Sequence, residues 1–177
     1  MIQKYLPLYT YGALIILSGI FLIYLESSPF IGMQWALGIT LSIASVFAFY
    51  TALSRQRKQV QFAYHEMHAL AMLVYGISIL VFCNTSEKFI FISSFLFIFY
   101  AFSEIIFCNW LFNLAQKVKY PIVILRLLFG LAIGIGAVLS MHYTKITLEI
   151  FGVLFILIGL NILLYVPIMK ETQTINT

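Results

Sequence analysis

The sequence predicts an all-α polytopic membrane protein, with six transmembrane helices arranged as three helical hairpins of one orientation. Three observations carry that expectation. Hydrophobic residues make up 63% of the 177 and charged residues only 9%, against roughly 25% charged in a soluble domain. Six apolar stretches each approach the roughly 20 residues that span a bilayer. Lysine and arginine concentrate at alternate ends of those stretches.

The segments fall at about 5–25, 31–53, 64–83, 89–112, 121–141 and 146–169. The first carries no charge. Its apolar run exceeds the roughly 7–15 residues of a signal-peptide core, and no A-x-A-like site follows, so it is expected to be an uncleaved span. Pro29 marks the turn into the second, which ends before Arg55-Gln56-Arg57-Lys58. The third opens on Tyr64-His65-Glu66-Met67-His68 and closes at Cys83. Asn84-Thr85-Ser86 supplies the next turn. The fourth holds Glu104 and Cys108, the fifth Arg126 and several glycines, and the sixth a single charge, Glu149, near one end. Core helices of a soluble protein would show a charged outer face, and these do not. Little chain remains for a soluble domain.

Lys4, Arg55, Arg57, Lys58, Lys117, Lys119 and Lys170 flank one side of the spans, and only Lys88 and Lys145 the other. Basic residues are retained in the cytoplasm. Both termini are therefore expected inside, with the loops at 26–30, 84–88 and 142–145 outside. This asymmetry explains the net charge of +4, and no nucleic-acid partner is implied. The Arg55–Lys58 run reads first as a topology anchor and second as a contact for anionic head groups. Cys83 and Cys108 fall in opposite halves of the bilayer, too far apart for an internal disulfide.

Superposing Gly19, Gly76 and Gly136 gives a repeat of 57–60 residues, and the even segments then align through Gly38, Ser94 and Gly152. The hairpins run about 5–54, 62–114 and 121–170. Gly19, Gly76, Gly130, Gly134, Gly136, Gly152 and Gly159 are expected to serve helix packing, because membrane helices associate by close approach. A dimerisation face is the lesser role for the Gly130/Gly134 pair. Each hairpin has two spans, so all three copies share one orientation. Many alternating-access transporters use inverted repeats instead, which weighs against that mechanism.

The run Leu125-Arg126-Leu-Leu-Phe-Gly130-Leu-Ala-Ile-Gly134-Ile-Gly136-Ala, followed by Gly152-Val-Leu-Phe-Ile-Leu-Ile-Gly159-Leu-Asn161-Ile, resembles the HdeD family of acid-resistance membrane proteins. The similarity is clearest over 122–165. The middle hairpin departs from it, with Ser94 and Ala101 where the last pair carries glycines. The resemblance implies a six-span protein of the bacterial inner membrane with a role in stress tolerance. It implies no catalytic residues.

Ionisable residues inside a span cost roughly 2.5–3.5 kcal/mol at a helix centre and mark sites of interest. Glu104 lies about 18 Å before the turn near Gln116–Lys119 and Arg126 about 12 Å after it, at 1.5 Å per residue. An ion pair between them is expected, with Asn161 at similar depth and Ser103 at the matching repeat position. These four form one expected polar cluster, either a clamp that fixes helix register or a relay for protons or ions. Glu66, which superposes on Arg126, is the competing partner. His65 and His68 stand three apart on one helix face, a spacing that suits two metal ligands, with Glu66 or another chain supplying a third. Ordinary interfacial residues are the main expectation there, and a pH sensor a further one.

Tyr5, Tyr9, Tyr11, Tyr24, Tyr120, Tyr143 and Tyr165 mostly mark helix ends and read as an interfacial belt. Asp is absent, which excludes a Ser-His-Asp triad, and no nucleotide or haem fingerprint occurs. No enzymatic activity and no cofactor are expected. The implied partners are the lipid bilayer, a second copy of the chain or another membrane protein. Two routes to function follow: envelope stress tolerance or membrane-protein assembly, and a small transporter or channel for protons, ions or a solute. Alkaline phosphatase and green fluorescent protein fused in turn after Thr177 test the orientation. The fluorescent fusion is expected to be active and the phosphatase inactive.

Overall fold

The computed structural model describes residues 5–24, 30–53, 62–113, 119–142 and 148–168. Six helices carry nearly all of them: α1 (Leu6–Tyr24), α2 (Phe30–Leu53), α3 (Phe62–Phe82), α4 (Ser86–Asn113), α5 (Tyr120–His142) and α6 (Leu148–Leu163). No strand occurs among the described residues. Five of the helices are long and apolar enough to cross a membrane, and in α3 the apolar stretch is Met67–Phe82. Side chains such as Val46, Val81, Phe102, Ile135 and Val153 stand half-exposed or more on the outer faces. An all-round apolar helix suits lipid rather than water, so this is a multi-pass membrane protein. The cations on which the expected orientation rests, Lys4, Arg55, Arg57, Lys58, Lys117 and Lys170, lie outside the described residues, as do Lys145 and Tyr143.

Local chemistry sets the helix ends. Thr85 caps α4: its carbonyl accepts from Phe89 N–H at 3.1 Å and its hydroxyl from Lys88 N–H at 3.4 Å. This cap starts the helix at Ser86, earlier than the apolar run alone indicates. Glu87 then meets the positive end of the helix dipole. Pro121 sits in the first turn of α5, where a missing N–H is harmless. Gln34 of α2 reaches across to donate to the Ile79 and Leu80 carbonyls at 2.8 and 3.0 Å, covering acceptors near the end of α3. The α6 helix breaks to a turn at Leu164 before a last helical stretch at 165–168. Pro167 accounts for this, because its ring opposes the carbonyl four residues earlier, at Leu163.

The helices close into a ring in chain order, α1 meeting both α2 and α6. The packing around the ring is uneven. The α2·α3, α4·α5 and α6·α1 pairs are intimate, whereas α1·α2, α3·α4 and α5·α6 are looser. The intimate partners are thus not the hairpins joined by the expected outer turns, but the pairs between them. Small residues explain the difference. A Cβ on Gly19 would strike the Gly152 carbonyl, and one on Gly159 would come within 2.8 Å of the Gly12 carbonyl. Gly38 and Gly76 face each other in the same way across α2·α3. Backbone approach of this kind replaces the hydrophobic driving force that lipid removes.

Inside the ring, Phe97 stacks on Phe151 and sits edge-on to Phe155, with centroids 5.5 and 5.0 Å apart. Tyr75 of α3 adds a tilted contact to Phe155. The bundle centre is therefore filled by rings from α3, α4 and α6.

Burial recurs along the chain. Leu22, Ile79 and Ala137 are all sealed, at spacings of 57 and 58 residues, and so are Leu41, Phe97 and Phe155 at 56 and 58. One expected alignment changes. Gly136 meets Leu154 of α6, while Gly134 meets Ala101 of α4. Gly19 and Gly76 face the preceding even helix, so their packing counterpart is Gly134 and not Gly136. Residues two apart point about 200° from each other on a helix, which is why the glycine-rich run left the choice open.

Gly19→Val is expected to lower stability in detergent by about 1–3 kcal/mol, the usual cost of overpacking. Gly32, around which a Cβ would meet nothing within 4 Å, is the control. Gly32→Ala is expected to raise stability slightly, by up to about 1 kcal/mol from helix propensity. Denaturant unfolding followed by circular dichroism reads both.

Candidate functional site

The intimate α4·α5 pair carries the most polar spot in the described bundle. Gly130 makes room for it, since a Cβ there would press on the Glu104 stem at 3.0 Å. One turn along α5, Arg126 reaches Glu104 side-on. Its Nε donates to Oε1 at 2.6 Å and its Nη2 to Oε2 at 2.9 Å. Glu104 is 0% exposed and Arg126 1%. Two parallel charge-assisted bonds are the strongest arrangement available to such a pair. The guanidinium also lies over two rings that pack on each other, 5.1 Å from Phe107 of α4 and 5.2 Å from Tyr165, just beyond α6. Both rings offer their negative faces to the cation. Cys108 Sγ completes the rim, 3.6 Å from Glu104 Oε1 and 3.7 Å from the Val123 carbonyl.

Asn161 does not bond this pair directly. Its Nδ2 donates to the Tyr100 hydroxyl at 2.9 Å, one turn before Glu104 on α4. Tyr100 in turn packs against His68 with ring centroids 5.0 Å apart. The Tyr11 hydroxyl approaches His68 Nδ1 at 3.5 Å, the outer limit of a hydrogen bond. A buried polar run therefore crosses the bundle through Tyr11 of α1, His68 of α3, Tyr100 of α4 and Asn161 of α6. Ser103 is only half-buried and donates to its own helix at the Tyr100 carbonyl, 2.8 Å away, so its hydroxyl is turned from the cluster.

His68 departs from its expected place at the water boundary. It is buried at 8% exposure, because α3 begins at Phe62 and position 68 already lies inside the ring. The side chains of His65 and Glu66 lie outside the described residues. Among the described residues, no group of three or more His, Cys, Asp or Glu gathers as a metal site would. The shifted alignment of α5 gives Arg126 a new counterpart. It matches His68 and Tyr11 rather than Glu66. These three occupy one recurring buried position on the odd helices.

The tyrosine belt also needs correction. Tyr24 and Tyr120 are exposed, but Tyr5, Tyr11 and Tyr165 are buried at 2–3%. Tyr11 and Tyr165 build the site rather than the interface: the Tyr11 hydroxyl approaches His68, and the Tyr165 ring packs on Phe107 and faces the Arg126 guanidinium. Position near a helix end concealed this, since sequence depth does not tell which face a tyrosine occupies.

No family model, curated protein or solved structure is matched by the chain.

Removing one partner from the pair strands a charge in the apolar interior. Arg126→Leu is expected to cost about 3–5 kcal/mol, whereas replacing both partners by apolar groups of similar size is often neutral or stabilising. Glu104→Met with Arg126→Met should therefore recover most of the loss. Unfolding of the three proteins in one detergent gives the comparison.

Proposed function

We propose that this is a non-enzymatic six-span protein of the bacterial inner membrane, built from three hairpin copies, that serves envelope and acid-stress tolerance or membrane-protein assembly. One observation carries the reading: Glu104 and Arg126 form a two-bond ion pair that is sealed from solvent and covered by the Phe107 and Tyr165 rings. A pair so enclosed suits a register clamp between α4 and α5. The filled aromatic centre adds support, because Phe97, Phe151 and Phe155 occupy the space a central conduit requires. The recurring burial at spacings of 56–58 residues supports the repeat. The stress role itself comes from the resemblance to the HdeD family over 122–165.

The transporter or channel reading keeps one observation in its favour. The run Tyr11, His68, Tyr100 and Asn161 places polar side chains in the interior from α1 to α6, and intramembrane polar groups of this kind mark ion and proton routes.

Survival of cells lacking the protein after an acid challenge separates the two. Loss of survival is expected, with full complementation by wild type and by the doubly neutral Glu104→Met/Arg126→Met protein. Unchanged survival on deletion removes the stress role. A folded double variant that fails to complement makes the charges themselves functional and favours transport.

A further inference from the structure

Tyr100 and Asn161 meet across the ring, where α4 and α6 touch only lightly. Asn161 Nδ2 donates to the Tyr100 hydroxyl at 2.9 Å. Both side chains are sealed, Asn161 at 0% exposure and Tyr100 at 2%. One bond does not exhaust them. A tyrosine hydroxyl that accepts still has its own proton to give, and a primary amide still has an acceptor oxygen. Among the described residues, Asn161 Oδ1 meets no hydrogen-bond donor, and the hydrogen bond of Tyr100 is the one it accepts from Asn161. Turning the amide over moves the demand without removing it. Tyr100 then donates to the oxygen, and both N–H groups of the amide need acceptors.

The fold does not require polarity at this level. By the spacings of 56 and 58 that relate the even helices, the counterparts of Tyr100 are Ala44 of α2 and Ile158 of α6, both fully buried. Hydrocarbon fills the same position twice. The polar pair is a departure of α4 and α6 alone, set on the border of two regions. Phe97 and Ile158 lie three residues before Tyr100 and Asn161, toward the aromatic centre, and Glu104 and Tyr165 lie four residues after them, toward the ion pair. His68 rests on the Tyr100 ring, with centroids 5.0 Å apart.

We propose that Tyr100 and Asn161 hold one internal water molecule that bridges α4 and α6. The water accepts from the Tyr100 O–H and donates to Asn161 Oδ1. With the bond from Nδ2 to the hydroxyl, the three groups close a ring in which every donor points at an acceptor. Water is the occupant this chemistry selects, because it gives and takes hydrogen bonds at one atom. An ion would bring a charge that neither a phenol nor an amide neutralises. Buried waters typically make about three hydrogen bonds to groups otherwise unsatisfied, and a bridging water binds nearly as well as a direct contact. It therefore joins two helices that the glycines leave apart. The ion pair, one turn further along α4, keeps the Phe107 and Tyr165 rings around it. The inference rests on neither functional reading. It adds one hydrogen-bonded member to the run from Tyr11 to Asn161.

The test is solid-state NMR of the full chain, labelled with 13C and 15N, in phosphatidylcholine vesicles. Magnetisation starts on water protons, and its growth is followed at assigned side chains. The Tyr100 and Asn161 signals are expected to grow several-fold faster than the ring signals of Phe97 and Phe155, which are buried to a similar degree. Tyr100→Phe removes the donor and is expected to slow growth at Asn161 to the rate of Phe155. If that variant does not fold, the wild-type comparison decides. Equal growth at the four residues overturns the proposal, as does a folded Tyr100→Phe protein whose Asn161 signal grows as in wild type.

Discussion

Helices in a bilayer gain nothing by hiding apolar surface from one another, because lipid is as apolar as they are. Everything in this fold depends on that constraint. Association has to come from backbones that approach closely enough for dispersion to accumulate, and only small residues permit it. Gly12 and Gly19 of α1 meet Gly159 and Gly152 of α6, and Gly38 meets Gly76 between α2 and α3. Where such pairs are missing, as along α1·α2 and α3·α4, the helices part and leave grooves.

The α4·α5 pair meets the same constraint differently. Gly134 lies against Ala101, and the space beside Gly130 is taken by the Glu104 stem rather than by backbone. Close packing there is supplemented by an ion pair that joins the two helices. A dry interior makes two parallel bonds strong and an unpartnered charge costly. The aromatic faces of Phe107 and Tyr165 hold the guanidinium where water would otherwise be required. The charge pair therefore belongs to the packing as much as the glycines do.

Much of the fold was legible because lipid imposes a simple grammar: length, apolarity and turn residues located all six helices to within a few residues. The depth argument placed Glu104 beside Arg126, since distance from a shared turn converts directly into height in the membrane. Rotation about each helix axis was not legible. Hydropathy is nearly uniform around these helices, so nothing told that Tyr11, Tyr165 and His68 face inward while Tyr24 faces out. The same uncertainty allowed Gly136 to stand for Gly134, and a two-residue slip concealed that Tyr11, His68 and Arg126 share a position. Glycine spacing did not tell which helices embrace. The hairpins are covalent neighbours, whereas the tight contacts lie between them.

The embrace of α1 and α6 has a consequence for synthesis. The glycine face of α1 is made before its partner on α6, with four helices synthesised between them. At roughly 5–20 residues per second, that face waits on the order of ten seconds in the membrane before Gly152 and Gly159 arrive. Until then α2 is its loose neighbour and the ring is an open arc. The ring closes only when α6 docks on α1. A nascent chain halted before α6 thus presents a small-residue face suited to helix association.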